Sequence, residues 1–192
     1  MDAPFLYRAW VMASCLIVPF AARSTTRKLR DAGMTVTRAH EKLGHATQER
    51  LGSGPLIWFH AASVGESLSV LALIARMGVA MPRAHFLITT GTATSARLVA
   101  GRIPPRTVHQ FAPLDAPGPM KRFLKHWRPD AAVFVESELW PQMLRRTHAR
   151  GTRMAMVNAR LSERSVAQWR KMPKLSAYML DVFDLILTQN DA

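Results

Sequence analysis

The apolar residues of this chain fall into two kinds of run. Six short runs are dense in β-branched and aromatic side chains: LIWFH from Leu56, HFLIT from His85, VHQFA from Val108, AAVFV from Ala131, RMAMV from Arg153 and LILTQ from Leu185. Their near-continuous apolarity predicts strands buried on both faces. Between them the apolar residues take a helical spacing. Leu68, Leu71, Ala72, Ala75 and Val79 are expected on one face of one helix, and Leu139, Met143, Leu144 and Thr147 on one face of another. Successive strands start about 22 to 32 residues apart, which suits a right-handed helical crossover between parallel strands. The pattern therefore predicts an α/β fold, a Rossmann-like parallel sheet over residues 55–192. No G-x-G-x-x-G follows the first strand, so the dinucleotide fingerprint is missing.

The N-terminus breaks this rhythm. AWVMASCLIVPFAA, residues 9–22, carries no charge, and Arg23, Arg27, Lys28 and Arg30 follow at once. A cleaved signal peptide fits poorly, because the basic cluster sits where export is hindered. A spanning helix needs about 20 apolar residues, which is reached only if Arg8 snorkels to the interface. An interfacial helix whose basic flank meets anionic lipid is the third reading, and a buried first helix the fourth. Membrane attachment is the expectation, with the following residues on the cytoplasmic side. The expected organisation is an anchor with its basic flank over 1–30, a linker or helical segment over 31–54, and the sheet domain from 55 onward.

Charge sharpens the picture. Lys and Arg total 26 against 13 acids, a formal net charge of +13, which points to an anionic partner. Nucleic acid is set aside, because aromatics are not interleaved with the basic residues as stacking platforms would require. The single cysteine, Cys15, excludes an internal disulfide, and the seven histidines show no metal-ligand spacing, so neither metal nor cofactor is expected.

In open parallel sheets, ligands bind beyond the carboxyl ends of the strands. The first strand runs into Ser63, Val64, Gly65 and Glu66, with Gly65 expected to permit a tight turn. Ser63 and Glu66 also satisfy a capping box, which explains both without any chemistry. The fourth strand runs into Glu136 and Glu138, so two strands deliver carboxylates to one edge, an arrangement suited to acid–base work. TTGTATSAR after the second strand offers Thr90 and a helix start to an anion, or simply caps that helix. NARLSERS after the fifth brings Asn158, Arg160 and Arg164 to the same edge, where guanidinium forks suit phosphate or carboxylate, or else a solvated helix face. Trp140 reads as packing, and His60 as a core-edge histidine with its hydrogen bond satisfied or, standing just before the turn, as a ligand contact, the first being favoured.

IWFHAASVGES, ITTGTATSA, VESELWPQ and VNARLSERS stand in the same order as in the 3-deoxy-D-manno-octulosonic acid (Kdo) transferases of lipopolysaccharide assembly, and from about Leu43 onward the chain resembles that family. The resemblance implies the N-terminal, acceptor-binding domain of a GT-B glycosyltransferase, preceded by a membrane anchor at the cytoplasmic face of the inner membrane. Kdo would move from CMP-Kdo to the lipid A precursor lipid IVA, without metal. Glu66 would be the proton acceptor and Glu136 the transition-state stabiliser, with Ser63, Gly65, Thr90, Glu138, Asn158 and Arg160 binding substrate. The C-terminal half that binds CMP-Kdo in the family is expected to be absent, leaving a truncated chain inactive alone. The alternatives are one half of a split transferase and a non-catalytic module that binds anionic membrane lipid.

Overall fold

A computed structural model describes residues 2–136, 139–160 and 162–189. All six predicted strands form: β1 Leu56–Ala61, β2 His85–Thr90, β3 Thr107–Phe111, β4 Ala131–Val135, β5 Arg153–Ala159 and β6 Leu185–Thr188. They pair in parallel in the order β3-β2-β1-β4-β5-β6. The crossovers carry α3 Val64–Ala80, α4 Ala93–Ala100, α5 Pro117–Trp127, α6 Pro141–His148, α7 Glu163–Arg170 and α8 Pro173–Leu180. The starts of these helices are written locally. Ser63, Thr92 and Ser162 accept the backbone N–H three residues on, and Pro117, Pro141 and Pro173 open their helices where no N–H partner is needed.

Each face of the sheet carries its own core. On one side Trp58, Leu87, Ala132, Phe134 and Met154 pack against Met120, Phe123 and Trp127 of α5, Met143 and Leu144 of α6, and Met179 of α8. Trp58 is its centre, fully buried with ring centroids 4.8 Å from Phe123 and 5.4 Å from Phe134. On the other side Ile57, Phe59, Phe86, Ile88 and Val135 meet Val70, Leu71 and Ile74 of α3 and Val99 of α4.

Two details depart from the sequence reading. In α6, Met143, Leu144 and Thr147 face inward as expected, but α3 turns a different face to the sheet. Ser67, Val70, Leu71 and Ile74 are buried while Leu68 is 37 % and Val79 85 % exposed. Apolar residues run almost all the way round this helix, so its pattern is degenerate and docking selects the face. The second departure is β6. It is exposed along its length, whereas β3 at the opposite edge of the sheet is mostly buried.

The first 54 residues form α1 Phe5–Asp31, α2 Val36–His40 and a 3-10 turn, Glu41–Leu43. By length and hydropathy α1 qualifies as a membrane span. It nevertheless lies along the domain, with Tyr7 edge-on to Tyr178 at 5.1 Å and the Trp10 indole N–H donating to Asp115 at 3.0 Å. Near its end Leu29 joins a small core with Ala39, Ala93, Ala96 and Phe111. The inward stripe Tyr7, Val11, Ser14, Val18, Ala21, Thr25 and Leu29 is at least partly covered, whereas Phe5, Met12, Leu16, Ile17 and Phe20 remain exposed.

Candidate active site at the carboxyl edge of the sheet

The strand order places a topological switch between β1 and β4: the chain leaves β1 in one direction toward β2 and β3, then returns to lay β4 on the opposite side. The crossovers that follow β1 and β4 diverge there, opening a crevice at the carboxyl ends. His60 pairs in register with Phe134, and carrying that register on two residues brings Glu136 level with Ala62. Glu66 and Glu136 thus follow neighbouring strands at the same edge of the sheet.

Glu66 sits in the first turn of α3 and is buried. One of its oxygens accepts the Ala62 N–H at 2.9 Å, and its own N–H donates to the Ser63 hydroxyl at 3.3 Å. The reciprocal exchange expected of a capping box therefore forms, displaced by one residue on the backbone side. It fixes the carboxylate at the exit of β1. Gly65 has another part than the one expected of it. It lies inside α3 with no positive φ, and a Cβ there would meet nothing within 4 Å. The turn does not need glycine, and the surface above the first turn of α3 is left open.

Glu136 follows β4 directly and holds its backbone in the left-handed region, φ +57, while its N–H donates to the Val157 carbonyl at 2.9 Å. Asn158, at the same edge on β5, has φ +56 beside a register irregularity between Met156 and Ala159. Left-handed backbone costs little for asparagine and more for glutamate, and such positions collect at functional sites. Asn158 and Arg160 are exposed at this edge. Thr90 is fully buried and its hydroxyl lies 2.9 Å from His109 Nε2, inside the fold. Glu138 lies outside the described residues.

Several groups at this edge carry no periodic signal, and Glu41, Arg38, Lys42 and His109 among them were not foreseen. Glu41 is completely buried in the 3-10 turn. Its carboxylate accepts from Arg38 at 2.8 Å, from the Phe111 N–H at 2.7 Å and from Thr47. Burial pushes the Glu41 carboxyl up, and these bonds oppose the shift. Arg38 continues to His109, whose burial lowers its pKa to about 3. Beside this network a cavity of about 130 Å³ is lined by Lys42, His60, Ala62, Gly91, Asp115 and Trp140, among others. Trp140, read from the sequence as packing, is 41 % exposed and forms one wall. The Asp115 carboxylate accepts from the Met143 N–H at 2.7 Å and from Trp10, and burial raises its pKa. Among the described residues no group of three or more His, Cys, Asp or Glu side chains is placed to hold a metal ion.

A parallel α/β domain with this strand order, and with carboxylates gathered at its switch point, has the architecture of a glycosyltransferase N-terminal domain. The family described as 3-deoxy-D-manno-octulosonic-acid transferase (kdotransferase) matches residues 37–192, and the chain belongs to that family. Among similar proteins, a 3-deoxy-D-manno-octulosonic acid transferase of Rickettsia felis is 36 % identical over 84 % of this chain and 35 % of its own length. A probable mitochondrial one of Arabidopsis thaliana is 34 % identical over 78 % of this chain and 34 % of its own. One of Haemophilus influenzae is 30 % identical over 70 % of this chain and 32 % of its own. The chain thus spans about a third of the length of these relatives.

Proposed function

We propose that this chain is the acceptor-binding domain of a Kdo transferase, and that Glu66 is the general base of glycosyl transfer from CMP-Kdo to lipid IVA. The observation that carries this reading is the buried Glu66 carboxylate, clamped by the Ala62 N–H at the exit of β1, beside the strand β4 that ends in Glu136. An acceptor hydroxyl attacking the anomeric carbon must lose its proton. A carboxylate held at that point takes it as the C–O bond forms and cytidine monophosphate leaves. The transition state is oxocarbenium-like, and Glu136 supplies negative charge beside it. Ser63 fixes the first turn of α3, bare Gly65 admits the sugar, and Asn158 and Arg160 meet its polar groups; Glu138 and Thr90 complete the set expected from the family. The donor is assigned to a second domain, supplied in the same polypeptide or separately.

Membrane association belongs to the same reading. The exposed apolar stripe of α1, Phe5 to Phe20, ends in a basic groove of about 760 Å³ lined by Arg23, Arg27 and Arg30. Because the opposite stripe packs on the domain, α1 lies along the inner membrane at its cytoplasmic face, its apolar side in the acyl boundary and its arginines on anionic headgroups. This surface also supports a second reading, a lipid-binding module without catalysis.

Kdo transfer to lipid IVA in membranes carrying this chain, with and without a separately expressed C-terminal half from a relative, distinguishes the two. Transfer that requires both halves supports the acceptor domain. A folded chain that binds anionic vesicles but gives no transfer with any added half supports the lipid-binding module.

A further inference from the structure

Lys42 is 8 % exposed, and among the described residues it makes no ion pair. Its neighbour Glu41 is consumed by Arg38, Thr47 and the Phe111 N–H. What faces its ammonium is the Phe111 ring, 5.8 Å to the centroid. Glu41 attracts the Lys42 ammonium but makes no direct pair with it, and a buried cation without a paired acid is costly unless something else completes it. His60 poses the same problem from the other wall of the cavity. Its Nδ1 lies 3.0 Å from the Thr89 hydroxyl, but its Nε2 is buried with no hydrogen-bond partner. Trp58 donates to that same hydroxyl at 2.8 Å, and the hydroxyl proton has two acceptors within reach, His60 Nδ1 at 3.0 Å and the Phe59 carbonyl at 3.3 Å, of which His60 is the nearer. With the Thr89 proton on Nδ1, the ring carries its own proton on the buried, unpartnered Nε2, and His60 lines the cavity. Among the described residues the one acid on the wall, Asp115, has its oxygens committed to the Met143 N–H and the Trp10 indole.

From these two unsatisfied donors on one cavity we infer an oxyanion subsite, formed by Lys42 and His60, that holds a phosphate monoester or carboxylate group of the bound substrate. At about 130 Å³ the cavity has room for roughly four water-sized atoms, the size of one such group. Gly91 keeps it open, since a Cβ there would come 3.3 Å from the Ala62 carbonyl oxygen. Ala62 ties the subsite to the chemistry, because it lines the cavity while its N–H is held by Glu66. An anion seated here lies one residue from the base and orients the sugar that carries it. The substrate identity rests on the function proposed above; the anion site itself does not.

The test is a titration of the full chain in nonionic detergent with inorganic phosphate, following the ring nitrogens of His60 by long-range ¹H–¹⁵N NMR. A saturable shift at Nε2 is expected. It should weaken tenfold or more in Lys42→Met, which keeps the volume and removes the charge, and stay within a few-fold in Lys42→Arg. Acetate in place of phosphate assigns a carboxylate if it binds more tightly. Bicelles containing phosphatidic acid assign a lipid-borne phosphate if they shift His60 more than free phosphate does. No saturable shift with any of these probes, or equal binding by Lys42→Met, overturns the subsite. Failure of Kdo transfer with an intact phosphate response sinks the proposed function and leaves the subsite standing.

Discussion

Glu66 caps the start of α3 in this structure and is proposed to be the base of transfer, and one substitution separates the two roles. Glu66→Gln keeps an oxygen where the Ala62 N–H donates, so the exit of β1 stays clamped. The bond changes from charge-assisted to neutral, which roughly halves it. The negative charge at the start of α3 is also lost, worth about 0.3–1 kcal/mol. Together the fold should lose about 1 kcal/mol, a fall of about 2–4 °C in Tm for a chain of this size. Glu66→Ala removes the acceptor and leaves a part-buried N–H unmet, costing about 1–3 kcal/mol. Catalysis sorts the variants differently. A general base contributes roughly 10²–10⁴-fold, and an amide cannot take a proton, so Gln and Ala should lose transfer alike. The assay is single-turnover transfer of Kdo to lipid IVA with the complementing half, beside a thermal melt of each variant. Glu66→Gln that melts near wild type and transfers within about tenfold of its rate would refute the assignment, leaving Glu66 as a capping residue.

The remaining predictions concern charge, core and membrane. Burial lowers the Lys42 pKa from 10.5 to about 8. The folded value is depressed, so the charged form costs stability below pH 8, and that cost is relieved as pH rises toward 10.5. Lys42→Met should therefore raise stability at neutral pH by about 2–3 kcal/mol and flatten that alkaline rise, read by urea melts across pH. His60 and His109 are likewise depressed, from 6.5 to about 3. Their contribution is present above pH 6.5 and lost as pH falls toward 3, at up to about 1.4 kcal/mol per pH unit each, so His109→Gln should shallow the acid limb of the same melts. Trp58→Ala empties the centre of one core and should cost about 3–5 kcal/mol by denaturant unfolding. Exchanging Leu16, Ile17 and Phe20 for serine should release the chain from anionic vesicles in a flotation assay with little change in Tm, because all three side chains are already exposed.

The six strands, the helix starts and the catalytic candidates were legible along the chain, because each is local. Continuous apolarity marks strands buried on both sides, Ser63 marks a helix start through its own hydroxyl, and Glu66 and Glu136 stand where those runs stop. Strand order is a matter of pairing between segments far apart in sequence, and no local pattern carries it. Only that order puts β4 beside β1 and so brings Glu136 to the edge that Glu66 occupies. The face that α3 buries was likewise undetermined, since a helix apolar nearly all round takes its orientation from the sheet. The same holds for α1: its sequence allowed spanning, lying flat or burial, and only the tertiary structure shows which stripe docks, through Tyr7 on Tyr178 and Trp10 on Asp115, while the rest of the helix stays largely exposed. Lys42 and His60 are 18 positions apart and share no motif. Their meeting in one cavity is a product of tertiary structure, because the segment before β1 folds back over the carboxyl ends of strands that come later in the chain.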